Sequence, residues 1–404
     1  MSWSSKGRAN GAWRVHGETS HEDAQIQHHS TRRGSGHPGR GDQRPAGAAS
    51  AGATAQRALG AATTRSAGPV VVADGLNNPR QLSFAPNGDL YIAEAGTGGV
   101  GPCLDGDEGE VCYGRTGSVT RIRGGVATRV LTRLPSLAGA GGFGASGPSD
   151  IAVRRNGTYL LTLGLGSDPA TRATLPGPAR QLGTVLVGTL PAAGGVGGDL
   201  AAHEAADDPD GQGIDSNPTS VEIVGGKNYV IDAGANALLR QSGSAISTVS
   251  VFENRMVPKP PFLPPPGLMP MQSVPTTVVG GPDGALYVSE LTGFPFPAGE
   301  ARIWRVVPGS APTVYASGLT NVTGLAFAGR TLYAVEFSSA GLLTVPEGEV
   351  PTGSLLRITP GASRHTVIAG GLTAPYGVAI RGGSAYVTTC GLCAGIGGVV
   401  KIGR

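Results

Sequence analysis

From about residue 69 to the end of the chain, apolar and polar residues alternate in short runs, and the runs fall into six similar sets. Each set opens on an entry pair: Asn78-Pro79, Gly147-Pro148, Asn217-Pro218, Val274-Pro275, Asn321-Val322 and Ala374-Pro375. An alternating run follows, then a Gly- or Asn-containing turn, then a second run carrying Tyr91, Tyr159, Tyr229, Tyr287, Tyr333 or Tyr386. Each tyrosine lies eleven or twelve residues beyond the second residue of its entry pair. A period of two marks a half-buried strand. Recurrence every few tens of residues marks a repeat architecture. A third run completes the pattern, as in GSVTRI (117–122), ARIWRV (301–306) and GSLLRI (353–358), and a fourth, as in PTVYASGL (312–319), leads into the next entry pair. Four short strands with Gly-rich turns make one propeller blade. No segment carries a convincing helical period, so the expectation is all-β.

The sixth set stops at Arg404, after its third strand. The missing fourth strand is found at the other end, in PVVVADGL (69–76), which matches the phrases preceding blades five and six. The expected fold is therefore a six-bladed β-propeller over residues 69–404, closed by pairing its N-terminal strand with the last blade. Closure removes the open edges that a sheet would otherwise present. The six tyrosines are expected to be architectural, packing between blades with a hydroxyl that finds a partner.

The net charge of +3 belongs to the first 68 residues, where nine Lys or Arg stand against four acids. The remainder is slightly acidic and shows no basic-aromatic surface pattern, so nucleic acid is not an expected partner. Residues 1–68 are rich in Gly, Ala, Ser, Arg and His and have no periodic apolar face; they are expected to be disordered. No run is long and apolar enough for a membrane span. No proper secretion leader is visible either. The segment is expected to be either a genuine tail or a misread stretch where a leader belongs, and the cysteines favour the second.

All four cysteines lie in the repeat region, in two close pairs. Cys103 and Cys112 bracket an insertion in blade one (CLDGDEGEVC), and Cys390 and Cys393 bracket the matching turn of blade six (CGLC). Two local disulfides and an oxidising compartment, extracellular or periplasmic, are expected; a four-Cys zinc site is the alternative. The first loop also holds Asp105, Asp107, Glu108 and Glu110, and a second acidic stretch (204–218) includes Asp208 and Asp210. Carboxylates spaced by glycines suit a hard cation, so calcium is the candidate cofactor at these loops. Solvated loop carboxylates are the simpler reading.

Propellers commonly place ligands at the channel mouth, where the innermost strands begin. Asn78, Asp150, Asn217 and Asn321 stand at or just after four of the six entries and are expected to converge there. A cation held by them could polarise an ester or lactone carbonyl; alternatively, Asn before Pro simply shapes the turn. Glu94, Asp232, Glu290 and Glu336 end four of the tyrosine strands, a repetition that points to a hydrogen-bonding role in each turn. No Ser/His/Asp set is in view.

The phrases NPRQLSFAPNGDLYIAEAG, CYGRTGSVTRI, PDGQGIDSNP, GPDGALYVSELTGFPFPAGEARIWRV and TTCGLCAGIGGVVKI resemble the ScyD/ScyE family, from about Val70 to Arg404. The resemblance implies a secreted, NHL-like six-bladed propeller and supplies no molecular activity. More distantly, the chain is similar to gluconolactonase-type propellers, which use a Glu, Asn and Asp metal site; here no Glu begins an inner strand. The leading expectation is a non-catalytic, monomeric binding or scaffold module that recognises a small molecule, a glycan or a protein at its loop-rich face. The alternative is a calcium-dependent lactonase or esterase acting at the channel mouth.

Overall fold

The computed structural model describes residues 68–106 and 109–404. The segment expected to be disordered therefore lies outside the described residues except for its last position, as do Asp107 and Glu108. The rest is a ring of six antiparallel sheets. Blades two to five each hold four strands in chain order, beginning at Pro148–Val153, Pro218–Val224, Pro275–Gly280 and Val322–Ala328. In blade six, Val378–Arg381, Ser384–Thr389 and Gly397–Gly403 are completed by Val70–Leu76, which pairs with Gly397–Gly403 from Val70↔Lys401 to Leu76↔Gly397. The predicted closure is thus present. Blade one (Pro79–Phe84, Leu90–Glu94, Gly109–Arg123, Val126–Ala138) carries a fifth short strand, Cys103–Gly106, folded back on Gly109–Cys112.

Six apolar clusters hold the ring, one at each junction between blades. The closing strand takes part: Ala73 and Leu76 pack with Leu82, Leu90 and Ile92 of blade one. Alternation decides which neighbour each side chain meets, since successive residues of a strand face opposite blades. Tyr229 and Ile231, for example, pack toward blade four, and Val230 toward blade two.

Five tyrosines occupy one register: Tyr91, Tyr229, Tyr287, Tyr333 and Tyr386 each lie opposite the fifth residue of the inner strand, counted from the second entry residue. Tyr159 does not. It lies opposite Val153, the sixth residue, and packs back toward blade one. Blade two has the five-residue turn of blades one and four (Arg154–Thr158), yet its tyrosine comes eleven residues after the entry, as in the blades with two-residue turns. A one-residue offset moves a side chain to the other face of its sheet. Space for the ring there comes from Gly188 and Gly194, where a Cβ would lie 2.7 and 2.9 Å from the Tyr159 hydroxyl. That hydroxyl donates to the Ala192 carbonyl at 3.2 Å.

An α-helix and a hairpin are among the elements that interrupt the repeat. Leu200–Asp207 is an α-helix where an irregular acidic loop was expected. Asp199 caps it by accepting from the Ala202 N–H, and Leu200, Ala201 and Glu204 form its buried side. A hairpin, Arg255–Pro258 with Leu268–Met271, is inserted between blades three and four. The repeated acids act as the repetition implied. Glu94 accepts from the Asn77 N–H, Asp232 from the Asn217 N–H, Glu290 from the Ser273 hydroxyl and Glu336 from the Thr320 N–H. Each ties the chain entering a blade to the end of that blade's second strand.

The closing strand makes a checkable demand. Removing residues 1–66 is expected to leave the melting temperature unchanged, whereas Leu76→Ala, which empties a buried site, is expected to cost about 2–5 kcal/mol in urea unfolding. An unaltered midpoint in Leu76→Ala would show that the ring does not depend on this closure.

Candidate functional site

The two residues after each entry proline, or after Val322 in blade five, form two rings around the axis. The first ring is Arg80, Ser149, Thr219, Thr276, Thr323 and Tyr376; the second is Gln81, Asp150, Ser220, Thr277, Gly324 and Gly377. All twelve are buried. An innermost strand is the free edge of its blade, so its backbone groups need partners that no further strand supplies. Side chains of neighbouring blades supply them. Ser83 donates to the Ile151 carbonyl, Thr276 and Thr277 to the Val322 and Thr323 carbonyls, Thr323 to Tyr376 and Thr388 to Arg80. Between blades two and three the Asp150 carboxylate accepts from the Ser220 hydroxyl and the Val221 N–H, both at 2.9 Å; between three and four, Ser220 accepts from the Val278 N–H. The belt spans all six junctions.

Gln81 closes the centre. Its Nε2 crosses the axis from blade one to the Thr277 hydroxyl of blade four at 2.8 Å and the Thr323 carbonyl of blade five at 2.7 Å. Glycine at the blade-six position makes room: a Cβ on Gly377 would sit 2.8 Å from Gln81 Cα. Above it, Arg80 stacks on the Tyr376 ring at 4.9 Å and donates to the Ala145 carbonyl at 2.5 Å.

The four residues expected to converge at the mouth are not brought to one point. Asn78 and Asn321 hold left-handed backbone (φ 47° and 44°) and turn their amides into blade junctions. Asn78 donates to the Gly96 and Gly142 carbonyls, and Asn321 donates to Leu291 and accepts from the Leu342 N–H. Asn217 lies against Gly164 of blade two, where a Cβ would come within 2.6 Å of its Oδ1. Asp150 points into blade three, as above. Burial pushes its carboxyl up from 3.8 to about 6, against the pull of its hydrogen bonds from Val221, Ser220 and the Ile151 N–H. Glu222, on the neighbouring inner strand, is pushed to about 8 by burial and then by the charge of Asp150. The residues that fill the axis, Gln81 and the Ser/Thr set, were not singled out from sequence, although a hydroxyl one or two places beyond four of the entries was there to be read.

Both disulfides are formed, Cys103–Cys112 and Cys390–Cys393, so these four sulfurs are not available as thiolate ligands for zinc. Among the acidic residues, Glu204, Asp208 and Asp210 bring carboxylate oxygens within 4.8 Å of one another. Three carboxylates suit a hard cation such as calcium. All three already accept hydrogen bonds locally, from the Asp215 N–H, the Gly213 N–H and the Asn236 amide respectively. Asp105 and Glu110 face each other across the stapled hairpin of blade one and are both exposed.

The face on which the inner strands begin also receives every connection between second and third strands and every crossing to the next blade. Both disulfides lie there. So do many of the exposed apolar side chains: Val100, Phe143, Ile214, Phe294, Leu343 and Ile396, from loops of six different connections. Between blades one and two this face holds a cleft of about 190 Å³, walled by the hairpin residues Leu104 and Val111, by Leu137 and Phe143, and by Leu165. Among the described residues, Asp105 and Glu110 are its ionisable lining, and in the hairpin register they share the strand face of the Cys103–Cys112 bridge, opposite that of Leu104 and Val111.

Asp150→Ala is expected to destabilise the fold, because the Ser220 hydroxyl and Val221 N–H then lose their acceptor at about 1–3 kcal/mol each. The pH dependence has a definite sign. A carboxyl raised by folding binds its proton more tightly in the folded state, so its contribution is fully present below 3.8 and is lost as pH rises through about 6. Urea midpoints measured from pH 4 to 6 should fall in the wild type and fall less steeply in Asp150→Asn.

No family model matches the chain, and no curated protein matches its sequence. Solved structures similar to it include a calcium-binding regucalcin from Agrobacterium tumefaciens, 11% identical over 84% of this chain and 96% of that one, with a TM-score of 0.44. Virginiamycin B lyase from Staphylococcus aureus, determined with quinupristin as an inactive variant, is 13% identical over 83% and 98%, with a TM-score of 0.40. A putative 6-phosphogluconolactonase from Bacteroides uniformis is 14% identical over 80% and 84%, with a TM-score of 0.38. At these values none of the likenesses carries an argument about activity.

Proposed function

We propose that this chain is an extracytoplasmic, non-catalytic binding propeller of the ScyD/ScyE type, which engages its partner through the loop-rich face. The observation that carries the reading is the division of labour between axis and face. On the axis, Gln81, Asp150, Ser220, Thr276, Thr277 and Thr323 are engaged in joining one blade to another, whereas the loop face leaves apolar side chains from six connections open to water. Exposed apolar surface gathered on one face is the usual mark of an interaction site. The two disulfides support an oxidising compartment, since local bridges of this kind persist outside the reducing cytosol. The lactonase alternative lacks its best residue: Asp150 is a blade-to-blade acceptor.

A panel of lactones and aryl esters, assayed with added calcium, is expected to give no rate above the uncatalysed one. Turnover that scales with protein and drops in Asp150→Asn would overturn the reading in favour of a hydrolase. Peptide mapping without reduction, on protein isolated from its native host, is expected to recover both Cys103–Cys112 and Cys390–Cys393 links. Free thiols there would argue against an extracytoplasmic location.

A further inference from the structure

A net charge near zero over the propeller conceals how charge divides between its two faces. The face opposite the disulfides receives the turns that join first to second and third to fourth strands. Directly across from the blade tyrosine, the third strand carries a cation in five blades: Tyr91↔Arg121, Tyr229↔Arg240, Tyr287↔Arg305, Tyr333↔Arg357 and Tyr386↔Lys401. Each of these cations stands within two residues of the end of its strand at this face. Blade two is the exception, with Gly188 opposite Tyr159, where the reversed ring needs the space. Nearer the axis, Arg155, Lys227, Arg330 and Arg381 lie in or beside the first turns of blades two, three, five and six, and all four are exposed.

Little on this face offsets them. Among the described acids, only Asp89 and Asp283 lie in its turns, and each is bound by an arginine of its own blade, Arg123 and Arg305. Glu222, two places before the end of its inner strand, is pushed by burial to about 8, so near neutral pH it is mostly uncharged. Exposed acids such as Asp105, Glu110, Asp207, Glu253, Glu300 and Glu347 stand on the disulfide face instead. Equivalent registers around a ring hold the cations at similar heights. Five turns here hold only two residues each, which keeps the face low and even. The tyrosines beside the cations are buried in blade junctions, or half-buried at Tyr386, and leave no ring free for stacking. A nucleic-acid strand is held by a groove with stacking aromatics, whereas a planar anionic surface asks only for cations at one height.

We propose that the turn face docks on an anionic lipid surface, with Arg155, Lys227, Arg330 and Arg381 at the centre of the contact and the third-strand cations around them. The inference is independent of the loop-face reading. Docking of this kind turns the apolar loop face away from the lipid. Each cation brought near such a surface contributes about fivefold in partitioning, and salt screens the contribution.

Co-sedimentation of the intact chain with vesicles of equal parts phosphatidylglycerol and phosphatidylcholine tests this. The wild type is expected to partition onto these vesicles and not onto phosphatidylcholine alone. It should be released as NaCl rises from about 0.1 M to about 1 M, which shortens the screening length from about 10 to about 3 Å. Combining Arg155→Glu, Lys227→Glu and Arg330→Glu, all at exposed positions, should keep the melting temperature and weaken binding about a hundredfold. Combining Arg115→Glu, Arg180→Glu and Lys259→Glu changes net charge equally on the disulfide face and should leave binding as in the wild type. Both variants keep the basic residues of 1–67, so any contribution from that segment is common to all three proteins. Binding that survives the first variant, falls equally in the second, or withstands the salt overturns the proposal. Retention by a soluble polyuronate without vesicle binding overturns the assignment to lipid. The lipid and salt comparisons need no variant, and none of these outcomes bears on the turnover assay.

Discussion

The free edge of the innermost strand is the constraint around which this ring is organised. Six strands end at the axis with backbone groups that have no further strand to pair with, and water is excluded from much of that space. The solution is a belt of short side chains, each bonding to a carbonyl or N–H of a neighbouring blade, with Gln81 reaching across the centre. Buried polar groups cost little only when they are satisfied. Serine and threonine suit these places because they reach a neighbouring backbone without filling the axis. Glycine at 324 and 377 belongs to the same solution, since Gln81 and the Tyr376 carbonyl occupy the room a side chain would need.

Outside the belt, stability comes from six apolar junctions that are separate clusters and not one core. Each blade contributes alternate residues to the junctions on either side, so register within a blade determines which neighbour it grips. Blade two shows how local the compensation can be. Its tyrosine faces the opposite way, and two glycines and one carbonyl absorb the change.

The axis being given over to cohesion moves the search for function to the loops. Those loops are held by two disulfides, by the carboxylates that tie four of the six entries to their blades, and by asparagines turned into the junctions at Asn78 and Asn321. A rigid rim displaying apolar side chains is suited to recognition, since little conformational freedom remains to be lost when a partner docks.

Alternation, turn residues and the repeat spacing determined the blade count, the strand order and the closure through Val70–Leu76, because strand period and turn chemistry are local properties of a sequence. The pairing of Cys103 with Cys112 and of Cys390 with Cys393 was legible for the same reason. The offset of Tyr159 was also present in the text, in a five-residue turn followed by a tyrosine one place early, but it shows only when turn length and spacing are counted together. The helix at Leu200–Asp207 was hidden by its shortness: eight residues give barely two turns of periodicity. What tertiary structure alone decided is where the entry residues point. Asn78, Asn217 and Asn321 open their entry pairs and Asp150 stands three places further along its own, and from sequence a side chain at the start of an inner strand faces either the channel or the next blade. Which one it takes depends on the distance between neighbouring blades and on which backbone groups there still lack a partner, and both are fixed only once the ring has closed.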